Sequence, residues 1–140
     1  MTAPVIRPAT ASDVPEVLRL WSSARSLPAS IPDDPDAIGI FLEHAGGSLL
    51  VAETDGEIVG SVIAAWDGWR ANLYRLAVHP AWRRRGIASQ LVAASEQLLR
   101  DQGARRFTAI VAQDDAAAVA LWTTVGYSHD GQAARYVRNA

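Results

Sequence analysis

Cysteine is absent from the 140 residues of this sequence, which excludes disulfides, thiolate metal sites and a cysteine nucleophile. Long hydrophobic runs are also missing, since no apolar stretch approaches the roughly 18 residues that suggest a membrane-spanning helix. Residues 1–7 lack the apolar core of a signal peptide. We therefore expect a cytoplasmic protein with no membrane partner, and no histidine pattern suggests a metal site.

Charge is nearly balanced overall, with a net charge of −2 that gives no general drive toward nucleic acid. The two halves differ, because residues 1–70 carry −6 from four arginines and ten acidic residues. Residues 71–140 carry +4 from nine arginines and five acidic residues. Two interpretations stay open: ordinary solvated faces, or a bipolar protein with an anionic ligand on one half and a cationic ligand on the other.

Hydrophobic periodicity and turn residues predict one α/β domain over residues 1–140. Ser12 is the predicted N-cap of the first helix. The predicted strands are 5–7, 48–53, 57–66, 72–78 and 107–111, followed by a final hairpin of 127–129 and 133–138. The other predicted helices cover 36–44, 86–102 and 114–124.

Three consecutive arginines, Arg83, Arg84 and Arg85, precede Gly86 at the start of the longest predicted helix. A helix N-terminus carries partial positive charge, so cations there are unfavourable unless an anion is bound. Gly86 lets the backbone approach a ligand, and first-turn N–H groups can hold phosphate oxygens. The segment is neither a Walker A loop nor a Rossmann fingerprint. Taken alone, it fits either a phosphate-binding turn or a solvated arginine cluster.

The same segment, residues 83–88, resembles the R/Q-x-x-G-x-G/A motif of the GNAT superfamily of acetyl-CoA-dependent N-acetyltransferases. A second stretch, from Asp115 to Tyr127, is similar to the family's N-x-x-A-x-x-L-Y-x-x-x-G-F/Y motif and follows at the expected distance. The resemblance implies a GNAT fold, with a mixed and mostly antiparallel central sheet, a splayed parallel strand pair and about four helices.

The resemblance also implies where the cosubstrate acetyl-CoA binds. The backbone of β-strand residues 76–78 would pair with the pantetheine arm, and the amides of residues 84–89 would hold the pyrophosphate. One or more of the three arginines would meet the outer phosphates. The implied cofactor-binding residues are Leu76, Ala77, Val78, Arg83, Arg84, Arg85, Gly86, Ile87, Ala88, Ser89, Asp115, Ala118 and Trp122.

By the same resemblance, a primary amine of a small molecule or protein attacks the thioester directly, and family members are frequently homodimers. The family's general base often lies at the positions of Asn72 or Tyr74, neither of which is a good base near neutral pH. Its general acid, a tyrosine, matches Trp122, and its motif asparagine matches Asp115. The alternative hypothesis is therefore a non-catalytic domain that binds or senses acyl-CoA.

Acceptor contacts are predicted at two further places. Residues 66–70 are similar to a Tyr/Trp-Asp-Gly-His-Arg stretch in a small bacterial GNAT subgroup. They form either a tight turn with packed tryptophans or an acceptor wall of Trp66, Asp67 and Trp69 that attracts a cationic amine. Arg25 is a candidate for binding a carboxylate on the acceptor. A cationic acceptor is also favoured by the acidic N-terminal half, which includes Asp33, Asp34 and Asp36.

Overall fold

The computed structural model describes residues 3–24 and 33–140, and within these ranges it has five strands and four α-helices. In chain order these are β1 (Val5–Pro8), α1 (Val14–Ala24), α2 (Pro35–Leu42), β2 (Gly47–Thr54), β3 (Glu57–Trp66), β4 (Ala71–Val78), α3 (Ile87–Gln102), β5 (Phe107–Ala109) and α4 (Ala116–Thr124). None of the described helices is long and apolar enough to cross a membrane.

The strands form one sheet in the order β1-β2-β3-β4-β5. All neighbouring strands are antiparallel except β4 and β5, which run parallel. The predicted fold class is therefore confirmed, including the mostly antiparallel sheet and the single parallel pair. A parallel pair needs a long crossover connection, and α3 supplies it between β4 and β5.

Two apolar clusters, one on each face of the sheet, hold the layers together. On one face α3 packs through Leu91 and Leu99 against Leu73 of β4, and all three side chains are fully buried. On the other face α1 and α2 contribute Val17 and Ile38. Because helices cover both faces, β2 and β3 are buried on both sides along most of their length, which explains their nearly continuous hydrophobic sequence.

The first helical segment begins earlier than predicted, and the assignment of Ser12 as N-cap is wrong. Thr10 is the N-cap of a short 3₁₀ turn, Ala11–Asp13, that leads into α1. The backbone N–H of Thr10 donates to the Asp13 carboxylate at 2.7 Å, as in a capping box. Ser12 lies inside this turn, where its hydroxyl is 2.9 Å from the Thr10 hydroxyl.

The predicted C-terminal hairpin of residues 127–129 and 133–138 is also wrong, because residues 127–140 contain no strand. Tyr136 is 94% exposed and Val137 is 72% exposed, so the alternating pattern covers no apolar surface. Alternation favours a strand only where one of its two faces is buried. β5 likewise ends at Ala109 rather than at residue 111.

Asp13 should stabilise the fold only while its carboxylate is ionised. The side-chain hydrogen bond from Arg7 is the main reason that the pKa of Asp13 falls from 3.8 to about 2. Because the folded state has the lower pKa, this stabilisation is present above about pH 3.8 and is lost as the pH falls toward 2. We expect Asp13→Asn to lower the free energy of unfolding by about 1 kcal/mol at pH 7, measured by urea titration.

The difference between wild type and Asp13→Asn should shrink as the pH approaches 2. Glu57→Gln is the matched control, since Glu57 is exposed and its carboxylate makes no hydrogen bond or ion pair with the described residues. An Asp13→Asn effect of equal size at neutral and acid pH would contradict the assignment.

Candidate functional site

A cleft opens where β4 and β5 part. The two strands pair only over residues 71–73 of β4 and Phe107–Ala109 of β5. A last hydrogen bond joins the N–H of Ile110 to the carbonyl of Leu73 at 3.3 Å. Beyond it, residues 74–78 and 110–112 line a cleft of about 1490 Å³, which is also bordered by α1, α4 and the start of α3. The backbone of β4 that faces away from β3 is thus available to a ligand.

A bulge in β4 changes the direction of its side chains at this cleft. The register between β3 and β4 shifts between Ser61 and Ile63, and Arg75 has a left-handed φ of 55°. Tyr74 packs against the α1–α2 cluster, and the Arg75 guanidinium lies 5.3 Å from the centre of the Trp21 ring in that cluster. Consecutive side chains of a regular strand point to opposite faces. Here both point to the α1–α2 side, as a bulge allows.

The N-terminus of α3 meets the cleft without a capping side chain. Gly86, at the N-cap, has a left-handed φ of 78°, and the first turn of α3 contains no acidic residue. Gly86, Ile87, Ala88 and Ser89 all line the cleft. A Cβ atom on Gly86 would have no protein atom within 4 Å, so the space beside it is open. The first-turn amides and the helix dipole therefore offer a site for an anion.

The three arginines before α3 have different surroundings. Arg83 donates to the carbonyls of Val78 at 3.4 Å and Ala24 at 3.2 Å, so it ties this turn to β4 and to the end of α1. Arg85 stacks over Trp82 at 4.7 Å. Arg84 lines the cleft and makes no hydrogen bond or ion pair with the described residues. Of the three, Arg84 is the best placed to meet an anion.

The three residues predicted on or beside α4, namely Asp115, Ala118 and Trp122, all line the cleft. The Asp115 carboxylate accepts the N–H of Ala118 at 3.1 Å and so caps α4. Trp122 is buried, and its ring meets Tyr127 edge to face at 5.0 Å. Trp122 is therefore both a wall of the cleft and part of the core. Its neighbour Tyr127 has a raised pKa, because it is partly buried and its hydroxyl donates a hydrogen bond to Glu96.

The two positions predicted for a base are placed differently. Asn72 sits in the parallel ladder opposite Thr108 and is not among the residues that line the cleft, whereas Tyr74 lines it and is half-buried. Burial raises the pKa of the Tyr74 phenol above its ordinary value of 10.0, and the charge of Arg75 partly opposes this. Tyr74 is therefore protonated near neutral pH and can donate a hydrogen bond.

The turn between β3 and β4, with Trp66, Asp67 and Trp69, lies outside the cleft. The Asp67 carboxylate accepts the N–H of Arg70 at 2.6 Å and of Trp69 at 2.8 Å, and these bonds lower its pKa. Trp66 packs against the α3 cluster, whereas Trp69 is 84% exposed. The geometry thus fits a tight turn, and none of the three residues lines the cleft. Arg25 lies outside the described residues.

Several residues that line the cleft were missed by sequence reasoning, among them Trp21, Arg75 and Arg135. The periodicity of α1 marks Trp21 as a core residue, and a buried residue can also form a cavity wall. No residue type in β4 signals a bulge, so nothing in the sequence points to Arg75. Arg135 lies in the C-terminal segment for which the sequence predicts a strand.

The charges that line the cleft are mostly positive. They comprise four arginines and two aspartates: Arg75, Arg83, Arg84, Arg135, Asp114 and Asp115. Because positive charge is in excess, the cleft suits an elongated anionic ligand.

In the described part of the chain, no group of three or more His, Cys, Asp or Glu side chains is arranged to hold a metal ion.

Comparison with known proteins agrees with this geometry. The family model described as Acetyltransferase (GNAT) family matches residues 14–127. A Photorhabdus laumondii protein named as an acetyltransferase is 36% identical over 115 residues, which cover 82% of this chain and 80% of that protein. The solved aminoglycoside N-acetyltransferase AAC(6')-Iy in complex with CoA has a TM-score of 0.80 and 20% identity, over 100% of this chain and 98% of its own. AAC(6')-Ih from Acinetobacter baumannii has a TM-score of 0.78 and 22% identity, over 98% of this chain and 99% of its own. At these identities the two structures support the fold alone.

The raised pKa of Tyr74 predicts that the midpoint of its phenol ionisation lies above the ordinary value of 10.0. Alkaline titration of wild type and Tyr74→Phe by near-ultraviolet absorbance should give nearly equal phenolate signals up to about pH 9. Above it, the variant should lack one ionisation. Circular dichroism of the same samples checks that both proteins stay folded. A phenolate missing from the variant already at pH 9 would contradict the burial of Tyr74.

Proposed function

Since the chain belongs to the GNAT family of acetyltransferases, we propose that it transfers the acetyl group of acetyl-CoA to a primary amine of a small molecule or protein. The observation that carries the proposal is a single cleft with two complementary ends. At one end the backbone of β4 has lost its β5 partner, and at the other the uncapped N-terminus of α3 offers amides. A ligand with an amide-containing arm and a pyrophosphate needs both features together.

The residues of the cleft fit acetyl-CoA in their chemistry. Residues 76–78 offer extended backbone groups to the amides of the pantetheine arm. The first-turn amides of residues 87–89 would hold the pyrophosphate, with Gly86 leaving room for its approach. Arg84 would add a charge-assisted hydrogen bond to a phosphate oxygen. Asp115 and Trp122 would support the same ligand from α4.

Transfer requires the amine nitrogen to reach the thioester at the end of the cleft near Tyr74 and Arg75. When bound, acetyl-CoA supplies the acetyl group: a C–N bond forms, the C–S bond breaks, and the nitrogen loses a proton while the leaving sulfur gains one. Tyr74 keeps its own proton and donates a hydrogen bond at this end of the cleft. We assign Asn72 no direct part, because it is not among the residues that line the cleft. The chain thus acts mainly by holding both partners in place.

The charge of the N-terminal half gives little support for a preference for cationic acceptors. Asp33 is paired with Arg75 at 2.7 Å, and Asp34 caps α2 by accepting the N–H of Asp36 at 2.9 Å. Asp67 serves the distant β3–β4 turn. We therefore define the acceptor only as a primary amine. Amino sugars belong in the test panel because enzymes named for aminoglycosides share the fold.

The single-domain organisation, the homodimer and the cytoplasmic location stay predictions. The dimer is tested by light scattering of the purified protein at several concentrations.

Turnover should be detectable as thiol release from acetyl-CoA with a panel of amino sugars, polyamines, arylalkylamines and lysine-like amines. No described histidine or glutamate lines the cleft, so the acceptor must arrive unprotonated. For an amine with a pKa of about 10, kcat/KM should rise roughly tenfold per pH unit between pH 7 and 9. A plateau that begins near pH 7 would reveal a base on the protein and contradict this mechanism.

The same assay addresses the alternative, a domain that only binds acyl-CoA. Asn72 and Tyr74 at the family's usual base positions, and Trp122 at its usual acid position, motivate this alternative. It would be supported if acetyl-CoA raised the melting temperature while no amine in the panel released thiol at any pH.

Gly86→Asp should abolish acetyl-CoA binding, because its carboxylate would enter the space proposed for the pyrophosphate. A ligand at about 100 times its Kd stabilises a protein by ~2.7 kcal/mol, so wild type should show a clear rise in Tm. The matched control is Gly56→Asp, since Gly56 has the same φ of 78° and equally open surroundings at the β2–β3 turn. Both variants should lose similar stability without ligand, but only Gly86→Asp should lose the shift. A normal shift in Gly86→Asp would place the phosphates elsewhere.

A further inference from the structure

A buried hydrogen-bond chain meets the bulge of β4. The indole N–H of Trp21 donates to the Ser61 hydroxyl oxygen at 2.8 Å, and the Ser61 hydroxyl donates to the carbonyl of Arg75 at 3.2 Å. Ser61 is 0% exposed and Trp21 is 3% exposed. An indole can only donate, so the direction of the chain is fixed and Ser61 must direct its proton to Arg75. The chain links α1, β3 and β4 at the cleft.

The residue at the end of this chain has a strained backbone. Arg75 has a φ of 55°, a left-handed conformation that a residue with a side chain adopts only when its surroundings impose it. Its guanidinium is held as well, by the Trp21 ring at 5.3 Å and by Asp33 at 2.7 Å. Trp21 therefore acts on Arg75 twice, through Ser61 on the backbone and through its ring on the side chain.

The strained conformation decides which side chains face the acceptor end of the cleft. In a regular strand that continues from Leu73 on the α3 face, Tyr74 would point to the α1–α2 side and Arg75 back to the apolar cluster on the α3 face. With the bulge, both side chains point to the α1–α2 side and line the cleft. An altered bulge would redirect Arg75 and shift the adjoining backbone that carries the Tyr74 phenol, which the proposed function places at this end of the cleft.

We propose that Ser61 and Trp21 are positioning residues for acetyl transfer, which hold the bulge at Arg75 and thereby place Tyr74 at the acceptor end of the cleft. This proposal rests on the proposed function. Neither residue has to touch the thioester or the amine.

The first experiment compares Ser61→Ala with Ser95→Ala in steady-state kinetics and in acetyl-CoA binding. Ser95 is equally buried, but its hydroxyl donates to the carbonyl of Leu91 within α3 rather than to the bulge. Ser61→Ala should lower kcat roughly tenfold or more, because small misplacements at a reacting centre are costly. The Kd for acetyl-CoA should change by less than about threefold, since the phosphate end is intact. Ser95→Ala should keep kcat, and equal kcat losses in the two variants would overturn the proposal.

Trp21→Phe tests the next link of the chain. It removes the indole N–H but leaves the Ser61 hydroxyl able to donate to Arg75. We expect a kcat between those of wild type and Ser61→Ala. A kcat equal to that of wild type would overturn its assigned place in the chain.

A double-mutant cycle tests the hold on Arg75 without any acceptor. Glycine adopts a φ of 55° without strain, so Arg75→Gly removes the need for the hold. Ser61→Ala should lower Tm by about 5 °C in wild type and by less than half of that in Arg75→Gly. Equal losses in both backgrounds would overturn the proposed hold on the bulge. If wild type acetylates no amine, the proposed function fails, and the cycle still decides whether the chain holds Arg75.

Discussion

Backbone N–H and C=O groups must find partners wherever water cannot reach them freely, and this requirement determines how β4 and β5 are used. The two strands are hydrogen-bonded to each other over residues 71–73 and Phe107–Ala109, and the pairing ends there. The following residues of β4 stay bonded to β3 on one side, while their other side borders the cleft. A ligand with its own amides is the natural partner for that side. The cleft is thus a consequence of an incomplete sheet rather than of a separate binding module.

The uneven charge along the sequence has a different origin in each half. All four arginines that line the cleft belong to the positive half, at positions 75, 83, 84 and 135. Several acids of the negative half act inside the fold instead. Asp13 and Glu53 both form ion pairs with Arg7, and the Asp34 side chain caps α2. The positive charge of residues 71–140 therefore indicates an anionic ligand, whereas much of the negative charge of residues 1–70 stabilises the fold.

The sequence predicts most of the fold because local signals and burial agree there. β3 was predicted to its last residue, and α3 begins one residue after the predicted start because Gly86 adopts a left-handed N-cap. The prediction of a C-terminal hairpin was wrong because it rested on alternation alone, and Tyr136 is exposed rather than packed on an apolar surface. For the site, the motif at residues 83–88 predicted the uncapped start of α3 that borders the cleft. The bulge at Arg75 has no sequence signature, since it depends on register against β3 and on contacts from α1, so its side chains were missed.

The departures from the family motif at Asn72 and Trp122 bear on only one part of the catalytic effect. A positioned acid or base typically contributes about 10²–10⁴-fold in rate, which corresponds to roughly 3–5 kcal/mol. Holding two reactants in register can contribute about 7–11 kcal/mol. Three features near the cleft fit the larger of these two effects in the proposed reaction: β4 backbone without a β5 partner, an uncapped helix N-terminus, and a strained residue fixed by buried hydrogen bonds. In the proposed reaction, the rate of acetyl transfer depends more on the rigid positioning of the two reactants than on proton transfer by a side chain. Changes to Ser61 and Trp21 behind the cleft should therefore cost it more activity than a change at Asn72, which does not line the cleft.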